Sequence, residues 1–267
     1  MMTGDTLARF LGDPVVTAFL IVVSPFVGSF LDLLATRMPT GRNWIAGRSA
    51  CESCGATLAV RDLVPFAGFA LNRGRCRHCG GTIPWRHPAT EAAALAVAVV
   101  AVLAAGGGVE AWLAALLGWG LLALAAIDLE HGLLPNRLTL PLAVAGLAAA
   151  GLTGRPDIVG VLVGAAAGFL VFAVIGVAYR RLRGRDGLGL GDAKLLAAGG
   201  AWCGWQALPA IVFVGALATL AAVALLALVG RGRFDMATRI PFGPGLALAI
   251  WLVYLLGARI PVSASFG

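Results

Sequence analysis

Eight apolar runs follow one another along this chain, at roughly 14–34, 91–105, 109–127, 138–153, 157–179, 191–206, 208–229 and 241–258. A bilayer core takes about 20 apolar residues of helix to cross, and backbone amides inside it must be satisfied within the segment. The runs therefore predict membrane-spanning helices. Composition agrees: 60% of the 267 residues are hydrophobic and 12% charged, with a mean hydropathy of +0.91. A water-soluble domain of this length cannot hide that much apolar surface. The expected fold is an all-α polytopic membrane protein of about eight transmembrane helices, seated in a lipid bilayer. Residues 1–13 are too polar and too short for a cleaved leader, so the first run reads as a retained span. Gly106-Gly107-Gly108, Gly151 to Pro156 and Gly204-Trp205-Gln206 read as tight turns between neighbouring spans.

The net charge of +7 is first a topology signal. Segments 35–90, 128–137, 180–194 and 230–240 hold 8, 1, 5 and 3 of the 20 Lys and Arg residues, whereas the intervening segments hold only Arg9, Arg155 and Arg259. The positive-inside rule puts the first set in the cytoplasm, and eight spans then leave both termini outside. No nucleic-acid-binding motif is present, so nucleic acid is not an expected partner. The chain divides into a first transmembrane helix (1–34), a cytoplasmic Cys-rich loop domain (35–90) and a membrane core (91–267).

The loop carries two C-x-x-C pairs, Cys51-Glu52-Ser53-Cys54 and Cys76-Arg77-His78-Cys79, 21 residues apart. Two such knuckles close a tetrahedral zinc site, and a glycine follows each one, at Gly55 and Gly80. The cytoplasm is reducing, which disfavours disulfides there. Four cysteines leave no open coordination position, so this zinc is expected to be structural. Glu91, just after Pro88 before the second apolar run, reads as the acidic first turn of a helix entry.

Asp128 ends the third run and Asp192 begins the sixth, so the topology puts both at the cytoplasmic membrane edge. Ionisable groups there are costly and mark functional sites. Two carboxylates held close in a low-dielectric pocket cannot both ionise easily; a pair sharing one proton can take a proton from water and give one to a carbonyl. Gly187, Gly189 and Gly191 precede Asp192 and can loosen the backbone beside it, while Pro135 and Pro141 interrupt the helix after Asp128. Lys194, the chain's only lysine, lies within a turn of Asp192 and reads as a snorkelling side chain.

These elements, in this order, resemble the prepilin peptidases, the type IV leader peptidases of bacterial inner membranes, which are intramembrane aspartyl proteases of the GxGD class. The resemblance rests on Gly28-Ser29-Phe30-Leu31-Asp32 with Arg37-Met38-Pro39, the two cysteine pairs enclosing Asp62-Leu63-Val64-Pro65, and Arg86-His87-Pro88 with Glu91. It continues through Ile127-Asp128, Leu134-Pro135-Asn136 and Leu138-Thr139-Leu140-Pro141, then Gly189-Leu190-Gly191-Asp192-Ala193-Lys194-Leu195 and Ile240-Pro241-Phe242-Gly243-Pro244. It implies that Asp128 and Asp192 are the catalytic pair, with Gly189, Gly191 and Lys194 supporting them. It also implies that they cut the leader of prepilins or pseudopilins on the cytoplasmic side, after a Gly that precedes the substrate's apolar helix. Many members also methylate the new N-terminal amine with S-adenosylmethionine, an activity associated with the Cys-rich loop. The chain departs from the family pattern at Asp32 (usually Asn), Leu63 (Asn), His87 (Tyr) and Asn136 (Asp). None of these is one of the two aspartates, and most lie around the loop.

Two other classes remain open at this level. A small ion-coupled transporter would use Asp128 and Asp192 as its ion site. A zinc-ribbon membrane scaffold would bind a partner through residues 35–90 and would not need the aspartates.

Overall fold

The computed structural model describes residues 11–44, 47–154, 156–184, 189–229 and 241–259. Gly187 and the basic segment 230–240 lie outside them. The described chain is helical apart from the loop, where the only strand-like pairing is two isolated bridges, Ala50 with Thr57 and Arg75 with Thr82. Each of the eight apolar runs becomes a helix. Five helical segments are long and apolar enough to cross a membrane: Pro14–Arg37, Arg86–Ala105, Gly108–His131, Ile158–Arg183 and Trp205–Leu228. The protein is thus an integral, multi-pass membrane protein. The chain divides into two compact units, which meet in sequence between Ala123 and Leu124.

The first unit opens with helix α1 (Pro14–Arg37). Asp13 caps it, accepting the Val15 N–H at 2.7 Å, and Pro14 sits at its first position, where no amide hydrogen is needed. The loop contains one short helix, α2 (Ala67–Leu71), and a 3-10 turn at Val60–Asp62. Helix α3 (Arg86–Ala105) returns against α1. A side chain at Gly28 would strike the α3 backbone at Glu91, so the two helices touch main chain to main chain there. Helix α4 (Gly108–His131) begins in this unit, and its Trp119 donates to the Ala94 carbonyl of α3 at 3.0 Å.

The second unit holds the end of α4 and helices α5 (Asn136–Thr153), α6 (Ile158–Arg183), α7 (Leu190–Cys203), α8 (Leu208–Leu228) and α9 (Gly243–Arg259). Helix α7 is the centre. Its 14 residues span about 21 Å, short of a bilayer core, and it packs on α5, α6 and α9. Nearly every residue from Ala193 to Trp202 is buried, the pattern of a helix enclosed by others. Helix α6 lies so close that a Cβ on Gly200 would collide with the Gly164 carbonyl, a close approach between small residues that suits helix packing in lipid. Helix α8 shows the opposite character: Phe213, Leu217, Leu220 and Leu225 stay at least half exposed. In water that face would be an aggregation site, whereas lipid covers it at no cost.

Two local expectations are corrected. Pro135 does precede the start of α5, but Pro141 sits inside that helix without ending it. Helix α3 starts at Arg86 rather than at Pro88, and Glu91 does not serve as an N-terminal acid but turns inward and is buried.

Candidate active site and metal centre

Asp128 occupies the last turn of α4 and is 7% exposed, while Glu130 and His131 beyond it are exposed. Its Oδ2 accepts the backbone N–H of Gly243 at 3.1 Å. Gly243 opens α9, so the positive end of that helix faces the carboxylate. Sequence reasoning missed this partner, which lies 115 positions away. The available signal was the Pro241-Phe242-Gly243-Pro244 element, whose glycine has a steric reason: any Cβ there would collide with the Asp128 carboxylate.

Asp192 sits in the first turn of α7 and is half-buried. Its Oδ2 accepts the Gly189 N–H at 3.3 Å, so the side chain caps its own helix. The charge of Asp128 is felt at Asp192, so the fold brings the two carboxyl groups within electrostatic reach. Gly189 is extended, with φ −77° and ψ 147°, a conformation open to any residue. Gly191 is small for a different reason: a Cβ there would press against Leu134 at 3.1 Å. Lys194 donates to the Asn136 side chain at 2.8 Å, tying the first turn of α7 to the start of α5. That partner was not foreseen, because the two residues are 58 positions apart.

In the loop, Cys51, Cys54, Cys76 and Cys79 converge with their sulfur atoms all within 4.8 Å of one another. Each pair forms the same turn. The Gly55 N–H donates to the Cys51 carbonyl at 2.9 Å, and the Gly80 N–H to that of Cys76 at 2.8 Å. Both glycines have positive φ, 72° and 69°. A zinc–sulfur bond of about 2.3 Å implies sulfur–sulfur edges of about 3.8 Å in a tetrahedron. The Cys51–Cys79 separation is 3.9 Å, so the donor set fits zinc. The thiols differ. Backbone N–H groups of Cys54 and Ser53 draw Cys51 down to about 6. The Gly81 N–H favours the Cys79 thiolate, but the neighbouring Cys54 group, desolvation and the Cys76 and Cys51 groups together outweigh it and push Cys79 up to about 11.

Asp62 braces the knuckles. It accepts from the Asn72 side chain at 2.9 Å and pairs with Arg77 at 3.1 Å; Asn72 above all, with Arg77 and the Ala59 N–H, holds its carboxyl below the ordinary 3.8. Glu91 of α3 accepts the N–H of Phe66 at 2.8 Å, and Phe66 is a non-glycine residue with a φ of 58°. Asp62, Asn72, Arg77 and Glu91 line a cavity of about 620 Å³ between the loop and the ends of α1 and α3, with Asp32 and Glu52 also among its acids and Phe30 and Phe69 among its apolar walls.

Comparison with known proteins bears on this arrangement. Residues 115–226 match the type IV leader peptidase family, and residues 22–105 match the bacterial peptidase A24 N-terminal domain. A prepilin leader peptidase/N-methyltransferase of Burkholderia pseudomallei is 40% identical over 255 residues, covering 86% of this chain and 82% of the relative. Proteins of the same description from Aeromonas hydrophila and Pseudomonas aeruginosa are 37% and 32% identical, with coverage of 91% and 90% of both chains. No solved structure matches the chain. With both of its halves matched by family and its length matched by these relatives, the chain belongs to the type IV leader peptidase family.

Proposed function

We propose that this protein is an inner-membrane aspartyl endopeptidase that removes the leader of type IV prepilins or pseudopilins and then N-methylates the exposed amine. What supports the peptidase half is that Asp128 and Asp192, two acids 64 positions apart, lie within electrostatic reach of each other at the end of α4 and the start of α7. One carboxylate takes a proton from water, and the resulting hydroxide attacks the scissile carbonyl. The other carboxyl group gives its proton to the carbonyl oxygen, and the proton gained by the first goes to the leaving amine. The Gly243 N–H orients Asp128, and Gly189 fixes Asp192. Gly191 lets Leu134 pack beside the site, and Lys194 anchors the same turn.

The positive-inside distribution supports a site facing the cytoplasm with both termini outside. We retain the functional partition into 1–34, 35–90 and 91–267. Cys51, Cys54, Cys76 and Cys79 would hold a structural zinc ion that fixes the loop. The neighbouring cavity, about 620 Å³ and lined by both carboxylates and arginines, is large enough for S-adenosylmethionine, a zwitterion with an added sulfonium charge. When bound, that group supplies an electrophilic methyl.

The test is cleavage of a full-length prepilin by purified protein in detergent, with Asp128→Asn and Asp192→Asn. Each variant is expected to fold and to lose about 10²–10⁴-fold in rate. Undiminished cutting by either would reject the pair. A transporter with these acids as its ion site would leave prepilin whole. A zinc scaffold would fail on loss of the cysteines and survive loss of the aspartates.

A further inference from the structure

An imidazole and a buried carboxylate touch each other at the wall of the loop cavity. His87 Nδ1, in the first turn of α3, lies 2.5 Å from Oδ2 of Asp32 on α1. The Asp32 side chain is 5% exposed and that of His87 is 35% exposed, and both line the 620 Å³ cavity. The second oxygen of Asp32 faces Arg86 Nε at 3.6 Å. The charged groups facing the imidazole are Asp32 from α1, Arg86 and Glu91 from its own helix and, behind Arg86, Glu52 from the loop, whose carboxylate the guanidinium contacts. Glu91 is committed to the Phe66 N–H, Glu52 to Arg86, and Arg86 keeps its charge throughout. With Nδ1 held by a buried carboxylate, Nε2 is the nitrogen left to exchange a proton.

We propose that His87 is the proton acceptor that makes the substrate's new N-terminal amine nucleophilic for methylation, with Asp32 as its positioning residue. This rests on the methyltransferase half of the function above. Cleavage leaves an α-ammonium, which has no lone pair and an ordinary pKa of about 7.7–8.0. One N–H proton passes to His87 Nε2. The freed lone pair bonds to the methyl carbon of the sulfonium donor, and the carbon–sulfur bond breaks with its electrons moving to sulfur. A neutral thioether and a secondary ammonium result, and the imidazolium returns its proton to water. Asp32 stabilises the imidazolium while it lasts. Without the imidazole, the amine must lose its proton to solvent before it can react.

The experiment uses the full chain in lipid nanodiscs and a pre-cut pilin with a free N-terminus, so peptidase activity plays no part. Methylation is followed by mass spectrometry from pH 6 to 9 for wild type, His87→Gln and the double variant Asp32→Asn/His87→Tyr. At neutral pH wild type is expected to be at least about tenfold faster than either variant, with the gap closing above pH 8.5, where solvent deprotonates the amine. S-adenosylhomocysteine should also shift the ring-proton resonance of His87 and leave that of His131 in place. The same pH profile in all three proteins, or an unmoved His87 resonance, would overturn the proposal alone. No methylation by wild type at any pH would reject the methyltransferase function together with it.

Discussion

The Asp128 carboxylate accepts a hydrogen bond from the backbone of Gly243 at 3.1 Å, joining the end of one membrane helix to the start of another. A backbone donor cannot be removed by mutation, but it can be pushed away. Gly243→Ala puts a methyl group where the carboxylate lies. A displacement of about 1 Å at a catalytic group costs on the order of 10²-fold. Gly243→Ala is therefore expected to lower kcat for cleavage by about that factor while the protein still unfolds within a few degrees of wild type. Full activity would mean that Asp128 does not need this geometry.

Lys194 is expected to act through structure rather than through chemistry. Lys194→Met removes its hydrogen bond to Asn136 and should cost about 1 kcal/mol, read as a small fall in Tm in detergent. Asn136→Asp turns the contact into a charge-assisted pair and should raise Tm slightly. A rise in Tm with Lys194→Met would refute the tether.

The zinc site should release protons as it fills. At pH 7 the Cys79 thiol, at about 11, holds its proton, so binding must expel at least one. The apparent zinc affinity should fall at least about tenfold per unit of decreasing pH, measured by competition with a chromophoric chelator. Cys76→Ser should abolish stoichiometric zinc and lower the protease resistance of the loop. A pH-independent affinity would contradict the four-thiolate site.

Asp62 links the loop to pH in the opposite sense from a histidine. Its carboxyl is held below the ordinary value, chiefly by Asn72, so its stabilisation is complete above the unfolded value and fades as pH falls through the folded one. Asp62→Asn should lower Tm at pH 7, and the difference from wild type should shrink below about pH 4, with chelator in both samples. A difference that is constant with pH would assign the loss to packing instead.

Glu91 holds a strained turn. Phe66 at positive φ stores of order 1–3 kcal/mol, and the Glu91 carboxylate accepts its amide. Glu91→Ala leaves that N–H without a partner and should cost about 2 kcal/mol, whereas Glu91→Gln, which keeps an acceptor oxygen, should cost less. Equal losses would point to the charge rather than the hydrogen bond.

Hydrophobic run length alone determined the helices and the membrane setting, because backbone in lipid has no alternative partner. The cysteine spacing determined the metal knuckles in the same way, since each turn is local. The order of motifs was enough to name Asp128 and Asp192 as candidates and to imply their chemistry. Tertiary structure decided what those residues touch. Gly243 beside Asp128, Asn136 beside Lys194, Phe66 beside Glu91 and Asp32 beside His87 are contacts across 25 to 115 positions. None has a periodic or short-range trace, because helix packing rather than propensity brings them together. Helix α7 shows the same division. Its apolar run was legible, but its burial among α5, α6 and α9 follows from the close approach of Gly164 and Gly200, which only the folded chain displays.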